Sequence, residues 1–147
     1  MEHRACTFSI PAVYGAPRPR FTRAGRVYKD KRYKKFLKTV PELYARAGGI
    51  DFGEQPVSMA ITCFSPLPKS KPKKVVSEPN VCKPDVDNVA KAVMDALNGV
   101  AYKDDKQVIR LTVQKMPRTR GIELATVVYI SDCLVEGNGN GTCNCEV

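Results

Sequence analysis

Histidine occurs once in the 147 residues, at His3, and tryptophan not at all. A lone histidine beside the start excludes histidine-based triads and the paired-histidine zinc helices of many hydrolases. Neither a GxxxxGK[ST] loop nor a GxGxxG loop is present, so those ways of cradling a nucleotide phosphate are excluded. No apolar run approaches the roughly 20 residues of a membrane span. MEHRACTFSIPAVY has too short an apolar stretch, and no clear cleavage site, for a secretory leader. The expectation is a cytoplasmic protein with no membrane partner. Six cysteines are present without any CxxC spacing, and the close pair Cys143 and Cys145 sits in a Gly/Asn-rich tail. They read as free thiols of a reducing compartment; the alternative, a zinc site, needs a ligand from elsewhere or from another chain.

Acidic residues are also scarce. Fifteen Asp and Glu face 24 Lys and Arg, a net charge of +9. The excess is concentrated. Arg18, Arg20, Arg23, Arg26, Lys29, Lys31, Arg32, Lys34, Lys35 and Lys38 form one run opposed only by Asp30, and Lys69, Lys71, Lys73 and Lys74 form a second. Such stretches fit neutralisation of nucleic-acid phosphates with counterion release; a solvated basic surface is the plainer reading. Phe21, Tyr28 and Tyr33 interleave with the first run as stacking surfaces or as core residues.

A chain of this length forms one domain that buries roughly two thirds of its unfolded surface without disulfides. ACTFSIPAV reads as a short strand, and Ala24-Gly25 as a turn between two extended arms. From Asp30 to Ala47, Tyr33, Phe36, Leu37, Val40, Leu43, Tyr44 and Ala47 recur at helical spacing, with Pro41 expected to kink or split the helix and Gly48-Gly49 to end it. QPVSMAITCFSP alternates as a strand. PLPKSKPKKVVSEPNVCKP is a loop expected to be mobile. Asp85 to Asn98 is a helix with an apolar stripe of Val86, Val89, Ala90, Val93, Leu97 and Val100, an N-cap at Asp87 and a terminating Gly99. QVIRLTVQKM and GIELATVVYIS read as two strands of a hairpin joined by PRTRG. The order predicts an α+β fold, a small mixed β-sheet with helices packed on one face. The domain is expected over residues 1–131, followed by a poorly ordered tail over 132–147.

Against the basic background, KPDVDNVAKAVMDALNGVAYKDD gathers Asp85, Asp87, Asp95, Asp104 and Asp105 within residues 83–105. Asp87, Lys91 and Asp95 fall at i, i+4 and i+8, on one helix face with Cβ neighbours about 5–6 Å apart. Helix-dipole and ion-pair stabilisation accounts for such a row on any helix. Asp85 and the pair beyond the helix change the balance. If the following strand runs back beside the helix, Asp105 approaches Asp85 and Asp87. Like charges at ~4 Å repel by on the order of 4 kcal/mol at an effective dielectric of 20. A divalent cation relieves that repulsion, and hard oxygen ligands select Mg²⁺ or Mn²⁺. An acid-rich, histidine-poor site of this kind points to metal-assisted phosphodiester chemistry.

The same residues resemble the signature of the RusA family of Holliday-junction resolvases: a D-x-D-N opening a helix after a basic flank, a lysine and an aspartate at helical spacing, D-A-L, then D-D-x-Q-V. The match spans residues 83–108 closely and about residues 5–131 more loosely; the tail is outside it. The resemblance implies a small homodimeric α+β endonuclease of a bacterial or phage-infected cell. Such enzymes bind four-way junction DNA and nick two strands symmetrically with Mg²⁺. Asp85, Asp87 and Asp105 match the family's catalytic, metal-binding aspartates, and Lys91 its active-site lysine. Asp95 and Asp104 match further acidic positions, and Asp104 joins the expected ligand set. Arg18, Arg20, Arg23, Arg26, Lys69, Lys71, Lys73, Lys74 and the flanking Lys83 are the expected contacts to backbone phosphates.

Overall fold

Alternation of buried and open side chains builds the sheet. The computed structural model describes residues 3–133 apart from 19, 22, 26 and 29; the side chains of Arg20, Phe21, Val27 and Tyr28 also lie outside it. Arg26, and the tail from residue 134 with Cys143 and Cys145, are therefore among the expected features outside the described residues. Strand β1 (Ala5–Ile10) buries Cys6, Phe8 and Ile10. Strand β4 (Val57–Phe64) buries Val57, Met59, Ile61 and Cys63, and β8 (Ala125–Asp132) buries Val128 and Ile130 on the same face. With β6 (Val108–Lys115) these form a four-stranded sheet in the order β1-β8-β4-β6. β1 and β4 each run antiparallel to β8, while β4 and β6 are parallel, so the sheet is mixed.

Two helices cover one face. Helix α1 (Lys31–Arg46) buries Tyr33, Phe36, Val40 and Tyr44, and α2 (Val86–Leu97) buries Val89, Ala90, Ala92, Val93, Ala96 and Leu97. Both join the sheet's buried side chains in a single core, α1 against β1, α2 against β6, and the helices against each other. Each aliphatic or aromatic side chain buried there contributes about 1.5–3 kcal/mol. The α+β architecture is as expected. Short pairs complete it: β2 (Arg20–Phe21) with β3 (Val27–Tyr28), closed at Gly25 with φ +74°, and β5 (Ser77–Glu78) with β7 (Arg118–Thr119).

Several local expectations are corrected. The hairpin of β6 and β8 does not exist: β4 lies between them, and the PRTRG connection pairs instead with Ser77–Glu78. β4 takes the central position because its side chains are apolar or small on both faces, whereas most of β6 is open at the edge. Pro41 lies inside a continuous α1, because it removes one backbone donor while Val40 and Tyr44 on either side stay buried. The N-cap of α2 is Asp85 and not Asp87, which sits in the first turn. Val86 and Val100 are exposed, at 44% and 38%; Ala92 and Ala96 supply the rest of the buried stripe. The segment from Pro66 to Pro79 is pinned: the Arg120 guanidinium donates to the carbonyls of Lys71, Pro72 and Val75. β8 continues through Asp132, whose buried carboxylate accepts from the Arg4 backbone N–H at 3.1 Å and pairs with His3 at 2.9 Å.

Candidate functional site

The entrance to α2 is set by backbone packing. Ala16 donates its N–H to the Asn88 carbonyl at 2.9 Å, which lays residues 12–17 against the helix start. Gly15 permits that approach: a Cβ there would lie 2.6 Å from Pro84 Cβ and 3.2 Å from Asn88 Cβ. From the sheet, Lys115 reaches across and donates to the carbonyls of Cys82 at 2.5 Å and Pro84 at 3.2 Å. The chain then enters α2 through Asp85, in extended conformation (φ −72°, ψ 153°), with its carbonyl accepting from Val89. The Asp85 side chain makes no capping hydrogen bond. Asp87, one turn-position on, is exposed. Two carboxylates therefore stand at the positive end of the helix dipole, directed outward.

Further along the same face, Lys91 Nζ lies 3.9 Å from Asp95 Oδ2, and the Tyr33 hydroxyl of α1 donates to that same oxygen at 2.5 Å. The helix ends at Leu97, and just past its cap Gly99 (φ +77°) donates its N–H to the Tyr102 carbonyl at 2.8 Å. Buried Tyr102 donates its hydroxyl to the Met94 carbonyl at 2.9 Å, folding the loop back onto α2.

Asp104 and Asp105 follow in a short 3-10 turn (Asp105–Gln107). Asp104 accepts from the Lys106 N–H at 3.0 Å, while the Gln107 side-chain carbonyl accepts from the Asp104 N–H at 2.9 Å, a reciprocal capping box. The Gln107 amide then donates to the carbonyls of Gly53 at 2.8 Å and Gln55 at 2.9 Å. Asp105 is pushed above the usual carboxylate range, first by the hydrogen bond it shares with Asp104, then by partial burial and the negative charges of Asp104 and Asp95; Lys91 opposes the shift. Asp104 is held below that range, chiefly by the Lys106 backbone N–H. The fold thus brings Asp105, Asp104, Asp95 and Lys91 into one electrostatic neighbourhood.

It does not bring Asp85, Asp87 and Asp105 together as a closed set. Among the described residues, no three Asp, Glu, His or Cys side chains converge closely enough to hold a metal ion. The donors suit a hard cation in kind, being carboxylate oxygens from one helix face and the turn beyond it.

Of the expected phosphate contacts, Arg18, Arg23, Lys69, Lys73, Lys74 and Lys83 are exposed. Lys71 is already engaged, 3.1 Å from Glu78, which also binds Arg118. Arg20 lies in β2 with its side chain outside the description. Cys6, Cys63 and Cys82 are free thiols. Sequence reasoning missed Tyr33 as anything beyond a stacking or core ring, missed Lys115, and read Gln107 only as part of the D-D-x-Q-V pattern, without a role. Asp104-Asp-Lys-Gln107 is a capping-box spacing and was the one legible signal; nothing in the sequence pairs Tyr33 with Asp95, 62 residues away.

A mixed sheet with two helices on one face, an acidic helix row and a basic exterior define a class: small α+β proteins equipped to act on nucleic acid. The sequence matches the family described as Endodeoxyribonuclease RusA over residues 11–127, and the chain belongs to that family of DNA-cleaving nucleases. It is also 41% identical over 121 residues to the uncharacterized protein YqaN of Bacillus subtilis (strain 168), covering 70% of this chain and 83% of that protein. No helix among the described residues is long and apolar enough to cross a membrane.

Proposed function

We propose that this nuclease resolves four-way DNA junctions by paired symmetric nicks, acting in the cytoplasm as a homodimer with Mg²⁺, for which Mn²⁺ substitutes. The observation that carries the reading is the state of Asp85: it occupies the N-cap position of α2 and yet makes no capping bond. A carboxylate that served only the helix would accept from the first turn. Left open, it is a ligand. Asp85 and Asp87 would be the cation's open ligands at the helix start, and Asp105, with Asp104 beside it, stands apart from them here and would have to draw in to complete the set. When bound, the ion supplies Lewis-acid stabilisation and a more acidic water.

The chain's own residues do the rest. Lys91, 65% exposed, offers a mobile positive charge to the phosphate or the departing oxygen. Asp104, fixed by its capping box, sets the negative field around Asp105. Arg18, Arg20, Arg23, Arg26, Lys69, Lys73, Lys74 and Lys83 grip backbone phosphates without reading sequence, and Lys71 joins them if it leaves Glu78. A two-fold dimer presents two such sites to a substrate of matching symmetry.

The test is cleavage of a four-way junction by the full-length protein with Mg²⁺ or Mn²⁺, with EDTA as control and duplex, flap and RNA substrates in parallel. Metal-dependent paired nicks on the junction, lost in Asp85→Asn while junction binding persists, are expected. Binding without cleavage across several junction sequences would make the protein a non-catalytic junction binder. Preference for flaps or forks would change the substrate and keep the chemistry.

A further inference from the structure

Lys91 and Asp95 are four residues apart on α2, a spacing at which an isolated helix pairs opposite charges freely. Here they do not close. The ammonium stops 3.9 Å from Asp95 Oδ2, outside hydrogen-bonding range. That same oxygen already accepts from Tyr33 at 2.5 Å. We propose that Tyr33 is a positioning residue for Lys91: by holding Asp95 Oδ2 it fixes the orientation of the carboxylate and keeps it from swinging onto the lysine, so the ammonium is attracted along the α2 face yet remains available to the phosphate.

Three observations support the arrangement. Tyr33 is only 8% exposed, and a hydroxyl that buried needs a partner. Its ring is fixed: it stacks on Tyr14 with centroids 6.1 Å apart and planes 13° from parallel, and Tyr14 stacks in turn on Phe36 at 5.2 Å. The hydroxyl therefore points where the packing of α1 on α2 aims it. Burial, then the hydrogen bond to Asp95, pushes the Tyr33 hydroxyl far above its ordinary acidity range, so it remains a donor. A hydrogen bond from a neutral donor to a carboxylate is charge-assisted and short, strong enough to hold Asp95 in one orientation. Lys91 meanwhile keeps a Coulomb attraction to Asp95 without a hydrogen bond that must break before it turns to DNA.

The inference rests on Lys91 serving cleavage, as proposed above, and its test has an arm that does not. Tyr33→Phe keeps the ring and removes only the hydroxyl. In full-length protein labelled at lysine side chains, the Lys91 ammonium signal is expected to shift and sharpen as it closes on Asp95. That change should vanish in Tyr33→Phe/Asp95→Asn. On a four-way junction with Mg²⁺, kcat is expected to fall about 10-fold with KM within about twofold, and Tyr33→Phe should add nothing in the Asp95→Asn background. An unchanged Lys91 signal, or a loss of melting temperature with kcat intact, would overturn the proposal and leave Tyr33 a satisfied core tyrosine. If the wild-type protein cleaves no DNA, the functional reading fails, and the Lys91 signal alone decides for or against the Tyr33 tie.

Discussion

The two ends of the acidic face of α2 are built in opposite ways. At the entrance, Asp85 and Asp87 sit on a backbone held rigidly by Gly15, Ala16 and Lys115, while the Asp85 carboxylate makes no capping bond. At the exit, carboxylates themselves are held, Asp95 by Tyr33 and Asp104 by the Lys106 N–H, and Asp105 stands in the negative field of both. The entrance places charge by fixing the main chain and leaves the oxygens for something external. The exit places charge by hydrogen-bonding the oxygens, and so sets the electrostatics that an incoming group meets. A site that needs open ligands and a fixed field has reason to contain both.

The sharpest way to break this contrast is at the entrance. Asp85→Asn should reduce junction cleavage on the order of 100- to 1000-fold, the scale of one lost electrostatic contributor at a reacting centre, while leaving the unfolding midpoint essentially unmoved because no internal bond is lost. A large fall in stability would show that the carboxylate is structural after all. Gly15→Ala attacks the same end through the backbone. Its Cβ would overlap Pro84, so a stability loss of about 1–3 kcal/mol is expected in denaturant unfolding, with cleavage falling alongside.

At the exit the order of effects reverses, with structure moving first. Gln107→Ala removes the bonds to Gly53, Gln55 and Asp104 and leaves those backbone groups to find water. About 1–3 kcal/mol of stability should be lost, and cleavage should fall only as far as Asp105 is displaced. The smallest effect lies outside the acidic face. Glu78 is held below the usual carboxylate range, first by Arg118 and then by Lys71. A depressed carboxyl contributes stability that is complete above its unfolded value and disappears as pH falls through the folded one. Amide exchange of residues 66–79, corrected for its intrinsic pH dependence, should therefore accelerate in that acidic window. Glu78→Gln should abolish the step; an identical profile in the variant would show that the clasp does not hold the loop.

How much of this was legible varies with the distance over which each interaction acts. The helices were readable because Tyr33, Phe36, Val40 and Tyr44, and Val89, Ala90, Val93 and Leu97, repeat at the helical period. The acidic row was readable because Asp87, Lys91 and Asp95 follow the same period. The pairing of β6 with β8 was misread because two alternating runs next to each other in sequence look like a hairpin. Only the competition for β4, whose two edges accept different partners, separates them. The expected convergence of Asp85, Asp87 and Asp105 depended on where the turn after α2 points. That is decided by Gln107 reaching the Gly53–Gln55 loop, which no local pattern encodes.

Composition and period alone determined that this is a basic, histidine-poor α+β protein with carboxylates along one helix, because those properties reside in neighbours a few residues apart. Which strands pair, which carboxylates stay open and which carboxylate Tyr33 holds were decided only by tertiary structure. Each depends on a contact between segments distant in the chain, and such a contact forms only after the core has packed.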